Sequence, residues 1–139
     1  MKKILLFISL SALVMIFLTS CSAKPYSFKE PIDEIESIEI VSAENSLEFT
    51  ILKTLSEEER GDFLEQFQMI DFDNYYIGDP MSVSGNTVKI TYKNGAYEMI
   101  CYRWSEYVEN GKIQYLWKSC DEEAFNNLLD SFLEEDTNE

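Results

Sequence analysis

The stretch TVKITYKNGAY, residues 87–97, decides the fold predicted for this chain. Its first part alternates the apolar residues Val88, Ile90 and Tyr92 with polar ones, which is the period-two pattern of a half-buried β-strand. The Asn-Gly pair that follows is a favoured sequence for a two-residue hairpin turn, and a second pair stands at Asn110-Gly111. The two turns predict a meander of three antiparallel strands.

A two-residue turn fixes which residues of a hairpin face each other. The first turn is expected to place six apolar residues on one face, as the pairs Tyr92 with Tyr97, Ile90 with Met99, and Val88 with Cys101. The second turn is expected to pair Glu109 with Lys112, Trp104 with Trp117, and Cys101 with Cys120. Because the apolar side changes along the middle strand, we also expect a bulge between about residues 101 and 104.

Cys101 and Cys120 are therefore expected to be neighbours, either facing each other or one residue out of step. A disulfide that closes this loop would contribute roughly 3 kcal/mol in the chain-entropy model. Two unlinked buried thiols are the alternative, and the sequence leaves both open. A catalytic thiol at Cys120 would need a base, and the chain contains no histidine.

Two helices are predicted by matching start signals, since Ser56 and Ser119 are each followed three residues later by a glutamate, as in a capping box. Each is followed by apolar residues at helical spacing. Apolar runs at 35–41, 47–52 and 71–77 add further strands, the first two as a hairpin. We therefore expect an α+β fold, with an antiparallel sheet of about five or six strands and two helices packed on one face.

The N-terminus has the layout of a secretory signal peptide. Lys2 and Lys3 precede fifteen uncharged residues from Ile4 to Leu18, too few for a membrane-spanning helix of about 20 apolar residues. The segment Leu18-Thr19-Ser20-Cys21 resembles the lipobox of bacterial lipoproteins. That resemblance implies cleavage before Cys21, attachment of lipid such as palmitate to its sulfur, and a place on the extracytoplasmic face of a cell membrane.

The expected organisation follows from this signal. Residues 1–20 form a lipoprotein signal peptide, 21–31 a tether, 32–134 a single α+β domain, and 135–139 an acidic tail. The runs Gly78-Asp79-Pro80, Tyr92-Lys93-Asn94-Gly95 and Asp121-Glu122-Glu123-Ala124-Phe125 are similar to small uncharacterised extracytoplasmic domains of Gram-positive bacteria. That resemblance implies no activity and assigns no catalytic residue.

The charge of the chain argues against several classes of partner. After removal of residues 1–20, nine basic side chains face 26 acidic ones, a net charge of −17. Such a protein is repelled by nucleic acid and by anionic membrane faces. The absence of histidine excludes His-based triads and His-rich zinc sites.

The long turn near residues 71–85 is the predicted binding loop, with Asp79 and Met81 as candidate residues. Its acids do not follow the spacing of a calcium loop, so we predict no metal and no cofactor. A second candidate surface is a group of aromatic residues around the second hairpin, Tyr102, Trp104, Tyr107, Tyr115 and Trp117. Exposed rings there would bind a sugar or a peptide, whereas the alternative is that Trp104 and Trp117 stack across the strands and cover the helices.

These observations favour a membrane-anchored, non-enzymatic protein-interaction module. Binding of a carbohydrate or another small ligand through the aromatic hairpin is the first alternative. A carboxylate-dependent hydrolase is the second alternative, since the chain is rich in acids. It ranks last because the sequence places no two acids at the separation that glycoside hydrolysis requires.

Overall fold

The structure, a computed structural model, describes residues 24–73 and 82–134. It contains a six-stranded antiparallel sheet, a small two-stranded sheet and two α-helices, so the predicted α+β class is confirmed. The predictions for the signal peptide, Cys21, Asp79, Met81 and the acidic tail lie outside the described residues.

The elements follow one another as β1 (Ile35–Asn45), β2 (Glu48–Thr54), α1 (Glu57–Phe67), β3 (Phe72–Asp73), β4 (Gly85–Tyr92), β5 (Tyr97–Ile100), β6 (Ser105–Glu109), β7 (Lys112–Tyr115), β8 (Ser119–Cys120) and α2 (Glu122–Glu134). The large sheet has the order β2-β1-β4-β5-β6-β7, and β3 pairs with β8. Within the described ranges, neither helix is long and apolar enough to cross a membrane.

Both helices contribute to a single core on one side of the large sheet, called here the helix-side face. The sheet residues of this core are Ile38, Ile40, Val88, Ile90 and Ile100. The helices add Phe63, Phe67, Phe125, Leu128, Leu129 and Phe132, and the rings of Phe63 and Phe132 meet at 5.4 Å between centroids. Burial of each such side chain stabilises the fold by about 1.5–3 kcal/mol, so this core is the main source of stability.

The opposite side of the sheet, called here the open face, carries a smaller core. Its buried members are Val41, Ala43, Val83, Met99, Cys101 and Trp104. Val83 comes from the segment before β4 and has no solvent exposure. Because no described helix covers this side, it is where side chains remain accessible.

The predicted register of the first hairpin is wrong by one residue. Val88 faces Ile100 and Ile90 faces Glu98, because three residues, Lys93 to Gly95, form the loop. Gly95 takes a φ of +86°, which fits the three-residue hairpin that ends in a left-handed residue. A slip of one residue reverses every side chain of β5, so Met99 lies on the open face and Glu98 on the helix-side face.

The predicted bulge near residues 101–104 is a hairpin turn. Cys101 and Trp104 exchange backbone hydrogen bonds of 2.9 and 3.3 Å, and the chain reverses through Tyr102 and Arg103. The meander therefore has four strands, β4 to β7, instead of three. The apolar residues do switch from one face of the sheet to the other along this stretch, but the cause is a tight turn between two strands and not a bulge within one strand.

The second Asn-Gly hairpin has the predicted register, since Glu109 faces Lys112 and Val108 faces Ile113. Asn110 and Gly111 take φ values of 51° and 73°, as a type I′ turn requires. We predict that Gly111→Ala lowers the free energy of unfolding by about 1 kcal/mol, because alanine is strained at positive φ. Gly61→Ala, in an exposed part of α1, is the control and should raise it by about 0.5–1 kcal/mol in urea titrations. Equal effects of the two changes would contradict this explanation.

The two helix starts differ in how well the sequence predicted them. Ser56 caps α1 as expected, with its hydroxyl accepting from the Glu59 backbone and the Glu59 carboxylate accepting from the Ser56 backbone. For α2, Ser119 is wrong as the cap. It pairs with Asp73 in the small sheet, and the Asp121 carboxylate accepts from the Ala124 backbone instead.

Most of the predicted tether is part of the domain from Lys24 onward. Tyr26 is buried in the main core and Phe28 packs against it. The Lys24 backbone donates to Asp71 Oδ1 at 2.8 Å, and the Phe72 backbone donates to the Lys24 carbonyl at 2.9 Å. The prediction of a tether missed that Tyr26 and Phe28 are apolar side chains that this segment buries against the domain.

Candidate functional site

The five aromatic residues of the predicted surface are divided between the two sides of the sheet. Tyr107 lies on the helix-side face, where its hydroxyl donates to Glu30 Oε1 at 3.0 Å, and Tyr102 packs partly buried against the same core. Trp104, Tyr115 and Trp117 come together on the open face. The predicted surface therefore consists of three aromatic residues. Trp104 and Trp117 do pack against each other, but on the open face, so the expectation that they cover the helices is wrong.

Trp104 is the buried centre of this group. Its ring lies 4.9 Å from that of Trp117 in an edge-to-face arrangement and 5.5 Å from that of Tyr115. Trp104 Nε1 donates to Glu106 Oε1 at 3.0 Å, and the Ser46 hydroxyl donates to Glu106 Oε2. These hydrogen bonds fix the position of Trp104, and the rings of Tyr115 and Trp117 pack against it.

The exposed part of the group is called here the aromatic edge patch and consists of Ile113, Tyr115 and Trp117. The three residues are 39, 45 and 40 % exposed, so all are accessible, although Leu47, Ile51 and Met69 are more exposed. All four residues of β7 are exposed, and β7 lies at one margin of the large sheet. The patch therefore combines apolar side chains with the edge of a sheet.

The backbone of β7 is available for further pairing. In the register of this hairpin Lys112 and Gln114 bond to β6, so the N–H and C=O groups of Ile113 and Tyr115 point outward. The Leu116 backbone donates to the Ser105 carbonyl at 3.0 Å and continues this alternation by one residue beyond β7. No strand within residues 24–73 or 82–134 pairs with this outer edge. An unprotected edge of this kind accepts a strand from another chain.

Trp117 has a strained backbone. Its φ is 54°, in the left-handed region that bulky residues rarely adopt, and such a conformation costs on the order of 1–2 kcal/mol. Strain of this size is retained where the surroundings impose it, often at sites of function. Here the conformation directs the indole toward Trp104 and Tyr115 instead of into the main core.

A second polar site lies inside the helix-side core. Glu98 on β5 is fully buried and accepts from the hydroxyls of Tyr26 and Tyr92, each at 2.5 Å, and from the Lys29 backbone. Burial, and then the Glu98 charge, raise the pKa of Tyr26 well above its usual value, and the same two causes raise the pKa of Tyr92. Glu98 thus binds the N-terminal segment to the sheet.

The two buried acids do not form a catalytic pair. Glu98 faces Tyr107 and lies on the helix-side face, whereas Glu106 faces Met99 and lies on the open face. Carboxylates on opposite faces of a sheet cannot flank one scissile bond. In the part of the chain that the structure describes, no three acidic or cysteine side chains are grouped as metal ligands.

The two cysteines within the described ranges are free thiols, with Cys101 buried and Cys120 partly buried. Burial raises the pKa of Cys101, and burial together with Cys101 and Asp121 raises the pKa of Cys120 to about 12. High pKa values oppose a role as nucleophile. The Cys120 backbone donates to the Tyr102 carbonyl at 2.7 Å, so Cys120 lies beside the residue that follows Cys101. The expected pairing of the two cysteines across the second hairpin is wrong, because Cys101 pairs with Trp104 and Cys120 with Phe72.

The disulfide itself stays a prediction for the oxidised protein. We expect oxidation of the folded protein to lower its intact mass by two hydrogens, and subsequent reduction to restore the original mass. Cys120→Ser is the control and should remove this change. Two alkylatable thiols in the oxidised sample would contradict the bridge.

The cavities are shallow surface depressions. One of about 350 Å³ lies between the Asn94–Gly95 and Asn110–Gly111 turns, and one of about 80 Å³ lies beside Ser82, Arg103 and Trp104. A third, of about 230 Å³, includes Ile113 of the aromatic edge patch, but it is not lined by Tyr115 or Trp117. A flat edge of this type fits a macromolecule better than an enclosed small ligand.

Comparisons of the chain with protein families, with curated proteins and with solved structures find no match.

Sequence reasoning missed the two buried acids and the edge strand. Glu98 and Glu106 look like ordinary surface glutamates in a chain with 26 acidic residues. A signal did exist for Glu98, because shifting the first hairpin by one residue places it among Ile90, Tyr92 and Ile100. Choosing that register requires the three-residue loop, which the Asn-Gly pair alone does not distinguish from a two-residue one.

Proposed function

We propose that this chain is a lipoprotein held by lipid on Cys21 at the extracytoplasmic face of a cell membrane, where its domain binds a protein partner without catalysing a reaction. The lipobox segment and the signal-peptide layout support the location. The observation that carries the binding function is the exposed edge of β7 with Ile113 and Tyr115, together with the strained Trp117 that follows the strand.

The edge suggests the form of the partner. Outward backbone groups at Ile113 and Tyr115 would pair with an extended peptide segment, and the aromatic edge patch would contact its alternate side chains. The net charge of −17 after processing favours a segment with basic residues and speeds its association. The partner is therefore an extended, basic segment of another extracytoplasmic protein.

A carbohydrate is the second candidate because Tyr115 and Trp117 expose aromatic rings. Their planes are 68° apart, and the ring centroids are 6.4 Å apart, so they do not form one continuous platform for a sugar chain. The arrangement supports a peptide more than a sugar. The separation of Glu98 and Glu106 gives the hydrolase alternative no support.

Selection of a random peptide library on the full-length protein tests this function. We expect enrichment of extended sequences that combine basic and apolar residues, and loss of their binding in the variant Trp117→Gly. Glycine suits a φ of 54°, so this variant should stay folded while losing the indole. Ile32→Ser, which removes another exposed apolar side chain, is the matched control and should bind normally.

Two results would contradict the proposal. One is enrichment of peptides that bind wild type and Trp117→Gly equally well. The other is the absence of enriched peptides together with Trp117-dependent binding on a glycan array, which would establish the carbohydrate candidate instead.

A further inference from the structure

The N-terminal segment, residues 24–31, holds the domain close to the proposed lipid anchor. Its hold is strong: Tyr26 is buried, the Gln68 side chain donates to the Tyr26 carbonyl at 3.3 Å, and Glu98 accepts from Tyr26 and from the Lys29 backbone. Three residue steps separate Cys21 from Lys24, and an extended chain covers at most about 11 Å in that number of steps. Lipid on Cys21 would therefore keep the surface near Lys24 at the membrane.

The surface around Lys24 has an unusual composition for this protein. It is called here the anchor-side surface and consists of Lys24, Lys29, Met69 and Lys118. Met69 is 74 % exposed, more than any other large apolar side chain in the described ranges. It lies two residues before Asp71, whose carboxylate holds the Lys24 backbone. An apolar side chain this exposed, beside an anchored chain end, is suited to the membrane interface.

The three lysines surround the same segment. Lys118 Nζ donates to the Ser27 carbonyl and lies 4.1 Å from the centre of the Tyr26 ring, and Lys29 Nζ lies 5.8 Å from the centre of the Tyr107 ring. Burial lowers the pKa of Lys118, Glu98 opposes this shift, and the nearby Lys29 charge adds to it. A third of the nine basic residues that follow Cys21 thus lie in one small region. Asp71 and Glu30 also lie there, but each is engaged, with the Lys24 backbone and the Tyr107 hydroxyl.

The anchor-side surface and the aromatic edge patch lie on different sides of the sheet. Tyr26, which the segment contributes, packs in the core of the helix-side face, while Tyr115 and Trp117 contact Trp104 on the open face. The neighbours Trp117 and Lys118 reach opposite sides, the first to Trp104 and the second to Ser27. A membrane on one side therefore leaves the other accessible.

We propose that the anchor-side surface rests on the phospholipid membrane that carries the anchor, so that the open face and the aromatic edge patch point away from the bilayer. This orientation depends on the lipidation of Cys21 given above. The lysines contact anionic headgroups and Met69 enters the interface, while the other, strongly acidic surfaces are repelled from the membrane. The orientation presents the edge of β7 to a partner outside the cell membrane.

Fluorescent probes at matched positions test the orientation. The full-length lipidated protein is prepared with Cys101→Ala and Cys120→Ala, and a polarity-sensitive dye is attached at either Met69→Cys or Leu47→Cys. Leu47 is the control because it is also apolar and exposed, and its neighbour Ser46 bonds to Glu106 on the open face. The protein is reconstituted on phosphatidylcholine vesicles that contain a minority of phosphatidylglycerol and a headgroup-labelled quencher lipid.

The dye at position 69 is expected to shift to shorter wavelength and lose most of its emission, while the dye at position 47 keeps nearly all of its emission. Equal quenching at both positions, or stronger quenching at 47, would overturn the orientation while leaving the anchor intact. Failure of the wild-type protein to sediment with the vesicles would overturn the lipidation on which the orientation depends.

Hydrogen exchange of the lipidated protein with its native cysteines gives a second measurement that needs no cysteine replacement. Vesicle binding is expected to slow exchange at the amides of residues 68–71 relative to unlipidated protein, and to leave β7 unchanged. Protection of β7 with no change at 68–71 would overturn the orientation.

Discussion

Replacement of Glu98 by alanine is expected to lower the free energy of unfolding by about 3–5 kcal/mol, because three buried donors lose their shared acceptor. The carboxylate accepts three hydrogen bonds inside an apolar core, from Tyr26, Tyr92 and the Lys29 backbone. Alanine leaves all three donors buried without their acceptor, and each unsatisfied group costs about 1–3 kcal/mol, reduced where water enters. Such a loss is a large part of the total stability of a domain of this size.

Urea titration of wild type and of three variants, Glu98→Ala, Glu98→Gln and Glu109→Ala, measures this effect. Glu109→Ala makes the same chemical change at an exposed position of β6 and should stay within about 0.5 kcal/mol of wild type. Glu98→Gln keeps the shape and one acceptor, so its loss should lie between the other two. Equal losses for Glu98→Ala and Glu109→Ala would contradict the role of Glu98 in joining the N-terminal segment to the sheet.

Alkaline pH is expected to unfold this protein through the same network. The folded-state pKa of Tyr26 is raised well above its usual value, first by burial and then by Glu98. An unfolded chain ionises its tyrosines near pH 10, whereas the folded chain keeps Tyr26 protonated. Its contribution to stability is therefore complete below about pH 10 and decreases above it, by up to about 1.4 kcal/mol for each pH unit.

The measurement is the free energy of unfolding in urea between about pH 8 and pH 11, together with tyrosinate absorbance. Tyr26→Phe removes the ionisable group, so the decline above pH 10 should become shallower even though the variant is less stable at neutral pH. Tyr115→Phe, at an exposed position, should leave the slope unchanged. A slope that is the same for wild type and Tyr26→Phe would exclude Tyr26 as the cause.

The sequence determined the elements of this fold better than their pairing. The alternation at 87–92 and the capping box at Ser56 depend on residues close in the chain, and both are confirmed in β4 and α1. The register of the first hairpin and the turn at Tyr102-Arg103 were missed. Each depends on a choice between loops that differ by one or two residues, and that choice is made by the packing of the strands on either side.

The candidate site divides in the same way. The sequence alone determined that aromatic residues gather around the Asn110-Gly111 hairpin, because the type I′ turn fixes that register locally. It also determined the strong negative charge and the absence of histidine-based chemistry. Only the tertiary structure decided which rings are exposed, since the side of the sheet that a ring occupies depends on where the two helices and the N-terminal segment pack. The burial of Glu98 was decided there too, because a glutamate enters an apolar core only when distant residues such as Tyr26 supply its donors.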